Sequence, residues 1–137
     1  MFYRYIEYPL VFTLGGIAYM LIEMLWRGFT HWSMGLCSGL CMLGIYVFEK
    51  HFSYISPILK YTLGALFITY NEFITGCIVN VWLGWNVWDY SKTPLNIGGQ
   101  ICLLYSFFWF LLCIPAFYVA KRLNLLFIKK EVEIQEG

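Results

Sequence analysis

Charge is what this sequence has least of. Acidic and basic residues make up 12% of 137 residues, against roughly 25% in an ordinary soluble domain. Hydrophobic residues make up 61%, too many for one small core to bury. A water-soluble chain of this length has to cover itself with polar side chains, and this one lacks them. The net charge of +1 supplies no basic patch, so no nucleic-acid partner is expected.

Motifs that carry chemistry are scarce as well. The sequence has no phosphate-binding loop, no H-E-x-x-H and no G-x-S-x-G. Its five cysteines, Cys37, Cys41, Cys77, Cys102 and Cys113, all lie in apolar runs and form no C-x-x-C pair. They read as small packing residues, which excludes a disulfide or zinc framework. No enzyme and no cofactor is expected. The start, Met1 to Tyr5, leads into a long apolar stretch without a short h-region and a small-residue cleavage site. The first helix is therefore expected to remain as its own anchor.

What the chain does have is long hydrophobic runs. Four of them, at about 9–26, 32–48, 57–85 and 99–120, approach the 20 or so residues that a bilayer span needs. The expected fold class is all-α, a polytopic membrane protein with a bundle of about four transmembrane helices. Residues 1–122 form the transmembrane domain and 123–137 a cytoplasmic tail, too short and too charged to span. The third run exceeds one span, so it tilts, or it leaves the helix near Gly84. Aromatics at 21% suit a bilayer, where Trp and Tyr settle at the headgroup level. Trp82, Trp85 and Trp88 read as such a belt.

The basic residues set an orientation. Arg4, Lys50, Lys60, Lys121, Arg122, Lys129 and Lys130 fall on one side of a four-span arrangement, and Arg27 and Lys92 on the other. The positive-inside rule then places both termini in the cytoplasm, with the protein in the inner (plasma) membrane.

Ionisable groups at bilayer depth cost at least ~2.5–3.5 kcal/mol each on insertion scales, so each needs a partner or a purpose. Glu23 and Arg27 stand at i and i+4, the favourable order for a helical pair. Gly16, Tyr19, Glu23 and Arg27 share one helical face, which should point into the protein. The pair is either a clasp or part of a ligand site. His31 follows just past the turn, either capping that turn or bonding a carbonyl, or joining that site. Thr69, Glu72, Gly76 and Asn80 form a second polar face with a small residue. Glu72 lies near the middle of its span, where a carboxylate is protonated, paired or exposed to a wet cavity. Asp89 reads as a loop-closing N-cap or Asx-turn residue, or as a further ligand. Asn96 and Gln100 flank the fourth span.

The expected ligand-binding set is Glu23, Arg27, His31, Glu72, Asn80 and Asp89, with Glu23 and Arg27 clustered with Glu72 or Asp89. A divalent cation could draw Glu23, His31, Glu72 and Asp89 together, but the spacing assigns no metal. Polar residues concentrate in the outer half, while the inner half is apolar apart from Ser38 and Thr62. That points to an outward-opening pocket and not a through-pore.

Several segments together resemble a known family. These are Gly16-x-x-Tyr19-x-x-x-Glu23, Trp26-Arg27-Gly28-x-Thr30-His31-x-Ser33-Met34, Ile68-Thr69-x-x-Glu72-Phe73-x-x-Gly76-x-x-Val79-Asn80, Leu83-Gly84-Trp85-x-Val87-Trp88-Asp89-Tyr90-Ser91, and Pro94-x-Asn96-x-x-Gly99-Gln100-Ile101-Cys102. The set is similar to small bacterial membrane proteins grouped as type IV ABC-transporter permeases, the CmpB-like family, and extends from about Gly16 to Leu123. Broader members carry Asn-Arg-Gly where this chain has Trp26-Arg27-Gly28. The resemblance implies a permease component whose ATPase is a separate chain. It implies no substrate and no catalytic residue.

Three readings follow. The first is a membrane component that binds or moves a small solute or ion, as a homo-oligomer or with a membrane-protein partner. The second is a non-transporting scaffold or regulatory subunit of a larger complex. The third, ranked last, is an intramembrane enzyme built on Glu23, His31 and Asp89.

Overall fold

The computed structural model describes residues 2–137, with side chains from residue 5 onward; the side chain of Arg4 lies outside the described residues. Helix α1 spans Phe2–Arg27, α2 Trp32–Phe52, α3 Pro57–Gly76 and α4 Leu103–Glu136. All four are long and apolar enough to cross a membrane. They run up and down, so both termini and the 53–56 turn lie at one end, and the 28–31 turn and the 83–102 segment at the other.

Local sequence explains the helix boundaries. His31 is extended (φ −134°, ψ 147°), and its Nδ1 accepts the Ser33 amide at 3.2 Å, so it caps the first turn of α2. Pro57 opens α3, where its missing N–H costs nothing. Beyond Gly76 the helix widens into a π-helical turn over Cys77–Trp82. The Leu83 amide then reaches the Ile78 carbonyl at 2.9 Å and the Trp85 amide the Val79 carbonyl at 2.8 Å. Gly84, at φ +66°, takes the chain out of the helix. The third apolar run therefore breaks near Gly84 and does not reach residue 85 as one helix.

The fourth run also differs from expectation. Residues 99–102 are not helical. Asn96–Ile97 (β1) and Ile101–Cys102 (β2) pair antiparallel in a small hairpin ahead of α4. At its other end α4 continues through the segment expected as a separate tail. Its 34 residues make a helix of about 51 Å at 1.5 Å per residue, well beyond the ~30 Å hydrocarbon core.

Packing relies on small residues. A Cβ on Gly16 would sit 2.8 Å from the Gly35 carbonyl oxygen, so only glycine lets α1 and α2 approach this closely. The fully buried Val11, Tyr46, Cys113 and Ala120, with Ile45 and Phe117, form the larger core cluster. Met34, Val79, Val87 and Trp88 form a second under the 83–102 segment. All five cysteines are free thiols, and Cys41, Cys102 and Cys113 are buried.

One expectation is overturned here. The terminal half of the bundle is not apolar. Glu7, Glu49 and Lys60 are buried in it. Glu7 accepts the Tyr46 hydroxyl and the Lys50 ammonium, the latter at 2.8 Å, joining α1 to α2. Glu49 accepts Lys60 at 2.7 Å, joining α2 to α3. Reading one chain segment at a time misses these pairs, because each carboxylate stands near a span end, where it passes for a solvated residue.

Candidate functional site

The site lies where α1 and α4 fail to close against each other. Both helices pack on α2 or α3, and a cleft is left between them. Two adjoining cavities of about 390 and 420 Å³ occupy it, sharing Tyr19, Ile22, Met34, Trp88, Trp109 and Leu112 as lining. The first extends toward the middle of the bundle, past Leu14, Ala18, Ala116 and Val119, and has Glu72 in its wall. The second extends toward the 83–102 segment and is lined by Glu23, Arg27 and Tyr90. Each falls in the ~300–1,000 Å³ range of small-molecule sites.

Glu72 is 4% exposed. Its two carboxylate oxygens accept the Tyr90 hydroxyl and the Trp109 indole N–H, each at 3.2 Å. Both donors are neutral, and among the described residues no cation pairs with it. Glu23, equally buried, is ion-paired with Arg27. The Arg27 guanidinium also donates to the Val87 carbonyl at 3.2 Å and lies 4.4 Å from the centre of the Phe29 ring. Its Nε is buried without a partner.

The expected set thus divides. Glu23, Arg27 and Glu72 face one cleft, with Tyr19 between them. The expected charged cluster does not form, however: Arg27 turns to a backbone carbonyl, and no ion pair links it to Glu72 or Asp89. His31 caps α2, with its ring 5.4 Å from that of Trp32 and 5.6 Å from that of Trp85.

Asn80 organises the 83–102 segment. It accepts the Val87 amide at 2.7 Å and the Trp88 amide at 3.4 Å, and donates to the Gln100 side chain at 2.9 Å. Asp89 is exposed and closes an Asx turn by accepting the Ser91 amide at 2.8 Å. That N–H holds its carboxyl below the usual carboxylate range. Among the described residues no group of three or more His, Cys, Asp or Glu could hold a metal, so Glu23, His31, Glu72 and Asp89 do not gather around one.

Other contributors carry no charge to betray them. Trp88, expected in an interfacial belt, is 5% exposed and donates its indole N–H to the Gln100 carbonyl at 2.9 Å. Trp82, by contrast, is 80% exposed. Tyr90 stacks on Tyr105 with ring centres 4.7 Å apart. Burial first, and the neighbouring Glu72 second, hold the Tyr90 phenol well above its ordinary value, so it remains a donor. Trp109 lies 37 residues from Glu72, a pairing no local pattern announces. Tyr19 was legible on the Gly16–Arg27 face.

A family model described as "Putative ABC-transporter type IV" matches residues 8–134. Comparison with curated proteins and with solved structures gives no match.

Proposed function

We propose, from the premise that this chain belongs to the family described as "Putative ABC-transporter type IV", that it is the membrane-embedded solute-binding component of a transport system and not an enzyme. The observation that carries the reading is Glu72: a carboxylate in the wall of a cleft, held by two neutral donors and paired with no cation among the described residues. A helix contact can be made by an uncharged amide at lower cost, since a charge at this depth costs several kcal/mol. Glu23 already has Arg27, so the cleft carries one carboxylate in excess. Its complement is a small cation or a solute bearing positive charge.

The remaining parts follow from this. The seven-to-two distribution of basic residues supports an orientation with both termini in the cytoplasm, the protein in the inner (plasma) membrane and the 83–102 end outward. The polar end of the cleft then lies toward the outer side. Energy for transport comes from an ATPase on a separate chain. Further copies of this chain or another membrane subunit complete the path, because four helices enclose little volume.

The test is thermal unfolding of wild type and Glu72→Gln in detergent, with sodium, calcium or tetramethylammonium added. A ligand that binds only the folded state raises the midpoint by mass action. At least one cation is expected to raise the wild-type midpoint and leave that of Glu72→Gln unmoved. Without ligand the variant should stay near wild-type stability, because the amide keeps the size of the carboxyl and one acceptor oxygen for Tyr90 or Trp109. Identical responses of the two proteins to every cation would overturn the solute-binding reading. The scaffold reading would then stand, and the buried Glu7–Lys50 and Glu49–Lys60 pairs favour it, since a scaffold needs only such clasps.

A further inference from the structure

The two cavities differ in character along the cleft. Toward the 83–102 segment the lining is aromatic and charged, with Tyr90 and the Glu23–Arg27 pair, and Glu72 stands in the wall of the adjoining cavity beside the shared Tyr19, Trp88 and Trp109. Toward the middle of the bundle it is aliphatic, with Leu14, Ala18, Ala116 and Val119 on the two walls. Leu14 and Val119 are exposed at the rim. In a bilayer such a rim faces hydrocarbon, so this part of the cleft opens sideways into lipid. The edge contact of Trp26 with Phe108, ring centres 6.2 Å apart, ties α1 to α4 at the polar end. Access is thus easier from the lipid side than past this bridge.

A purely water-soluble cation would use the polar end and leave the aliphatic half to a lipid chain. A single molecule matching both halves has an apolar chain joined to a positive head. An aromatic-lined pocket beside one carboxylate is a recognition chemistry of ammonium groups.

We propose that the substrate is a single-chain amphiphile with an ammonium head, entering between α1 and α4 from the bilayer. The head rests against Glu72 among Tyr19, Tyr90 and Trp109, and the chain lies along Leu14, Ala18, Ala116 and Val119. Rigid aromatic walls exclude water from the head, which strengthens its attraction to the carboxylate. The aliphatic walls replace lipid around the chain, so the chain sets orientation and the head sets affinity. This rests on the solute-binding reading and narrows it to one class of ligand.

The probe is a dodecyltrimethylammonium carrying a diazirine near the chain terminus, photolysed on the protein in nanodiscs, with labelled peptides located by mass spectrometry. Labelling is expected on the Leu14–Ile22 and Leu112–Val119 stretches, and should disappear under excess plain dodecyltrimethylammonium. Loss of the head's counter-charge in Glu72→Gln should lower it about tenfold. Filling the aliphatic half with Ala116→Phe should do the same without touching the head site. Ala18→Phe, on the opposite wall at an exposed position, repeats that test if the first variant folds poorly.

Two results would overturn the proposal. One is labelling spread equally over the lipid-facing Leu66, Phe67 and Tyr70 of α3. The other is cleft labelling indifferent to both phenylalanine variants. If tetramethylammonium still stabilises wild type over Glu72→Gln in the thermal test, only the amphiphile falls and the cation site remains. Should that test fail too, both readings fall.

Discussion

At the residue scale the cleft depends on a few side chains that hold backbone in place. Asn80 is the clearest. One carboxamide accepts two amides of the 83–102 segment and donates to Gln100, so it fixes where Val87 and Trp88 enter the bundle. Replacing it by alanine leaves a part-buried amide unmade, at a cost of about 1–3 kcal/mol. The Val87 amide should then exchange at least about tenfold faster in hydrogen-exchange measurements. Amides in the middle of α2 should be unaffected. Unchanged exchange at Val87 would mean that the segment is held by the burial of Trp88 alone.

At the scale of elements the bundle is joined by ion pairs at its terminal end. Lys60 and Glu49 tie α3 to α2 at 2.7 Å with little exposure of either side chain. Such a pair adds little net stability, because desolvation offsets most of the attraction, yet breaking it strands a charge. Lys60→Met should therefore lower the thermal midpoint strongly, at a cost of about 3–5 kcal/mol. The double variant Glu49→Leu/Lys60→Met should recover most of that loss. A double variant as unstable as the single would show that Lys60 acts through packing of its stem and not through charge. Glu72 is the contrast: it has no such partner among the described residues, which is why its replacement by glutamine is expected to spare stability and remove ligand binding.

At the scale of the whole molecule, an even number of spans puts the two termini on the same face. The distribution of basic residues is the ground for proposing that this face is cytoplasmic. A cysteine introduced at Gln135, in a background with the five native thiols replaced, should resist an impermeant maleimide in intact cells and react after permeabilisation. Reaction in intact cells would invert the orientation and turn the cleft inward. The length of α4 makes the position a clean reporter. Its C-terminal turns, with exposed Leu125, Ile128 and Val132 beside Lys129 and Glu133, extend past any hydrocarbon core.

How much of this was legible in the sequence depends on the range of each interaction. The four spans, the all-α class and the inward face of α1 were legible, because runs of apolar residues and helical periodicity are properties of neighbours along the chain. Gly84 as the end of the third helix and His31 as a cap were legible for the same reason. The family, too, could be read from local motifs.

Only the tertiary structure decided which polar groups meet. Arg27 could have reached Glu72 or Asp89, and it bonds the Val87 carbonyl instead. Glu72 finds Tyr90 and Trp109, 18 and 37 residues away. Glu7 and Glu49 look like solvated ends of helices until α2 and α3 bring Lys50 and Lys60 to them. Composition tells a chain what solvent it needs and periodicity tells a helix which face to bury. The partner of a buried charge is set by how helices cross, and that geometry exists only once all four have packed.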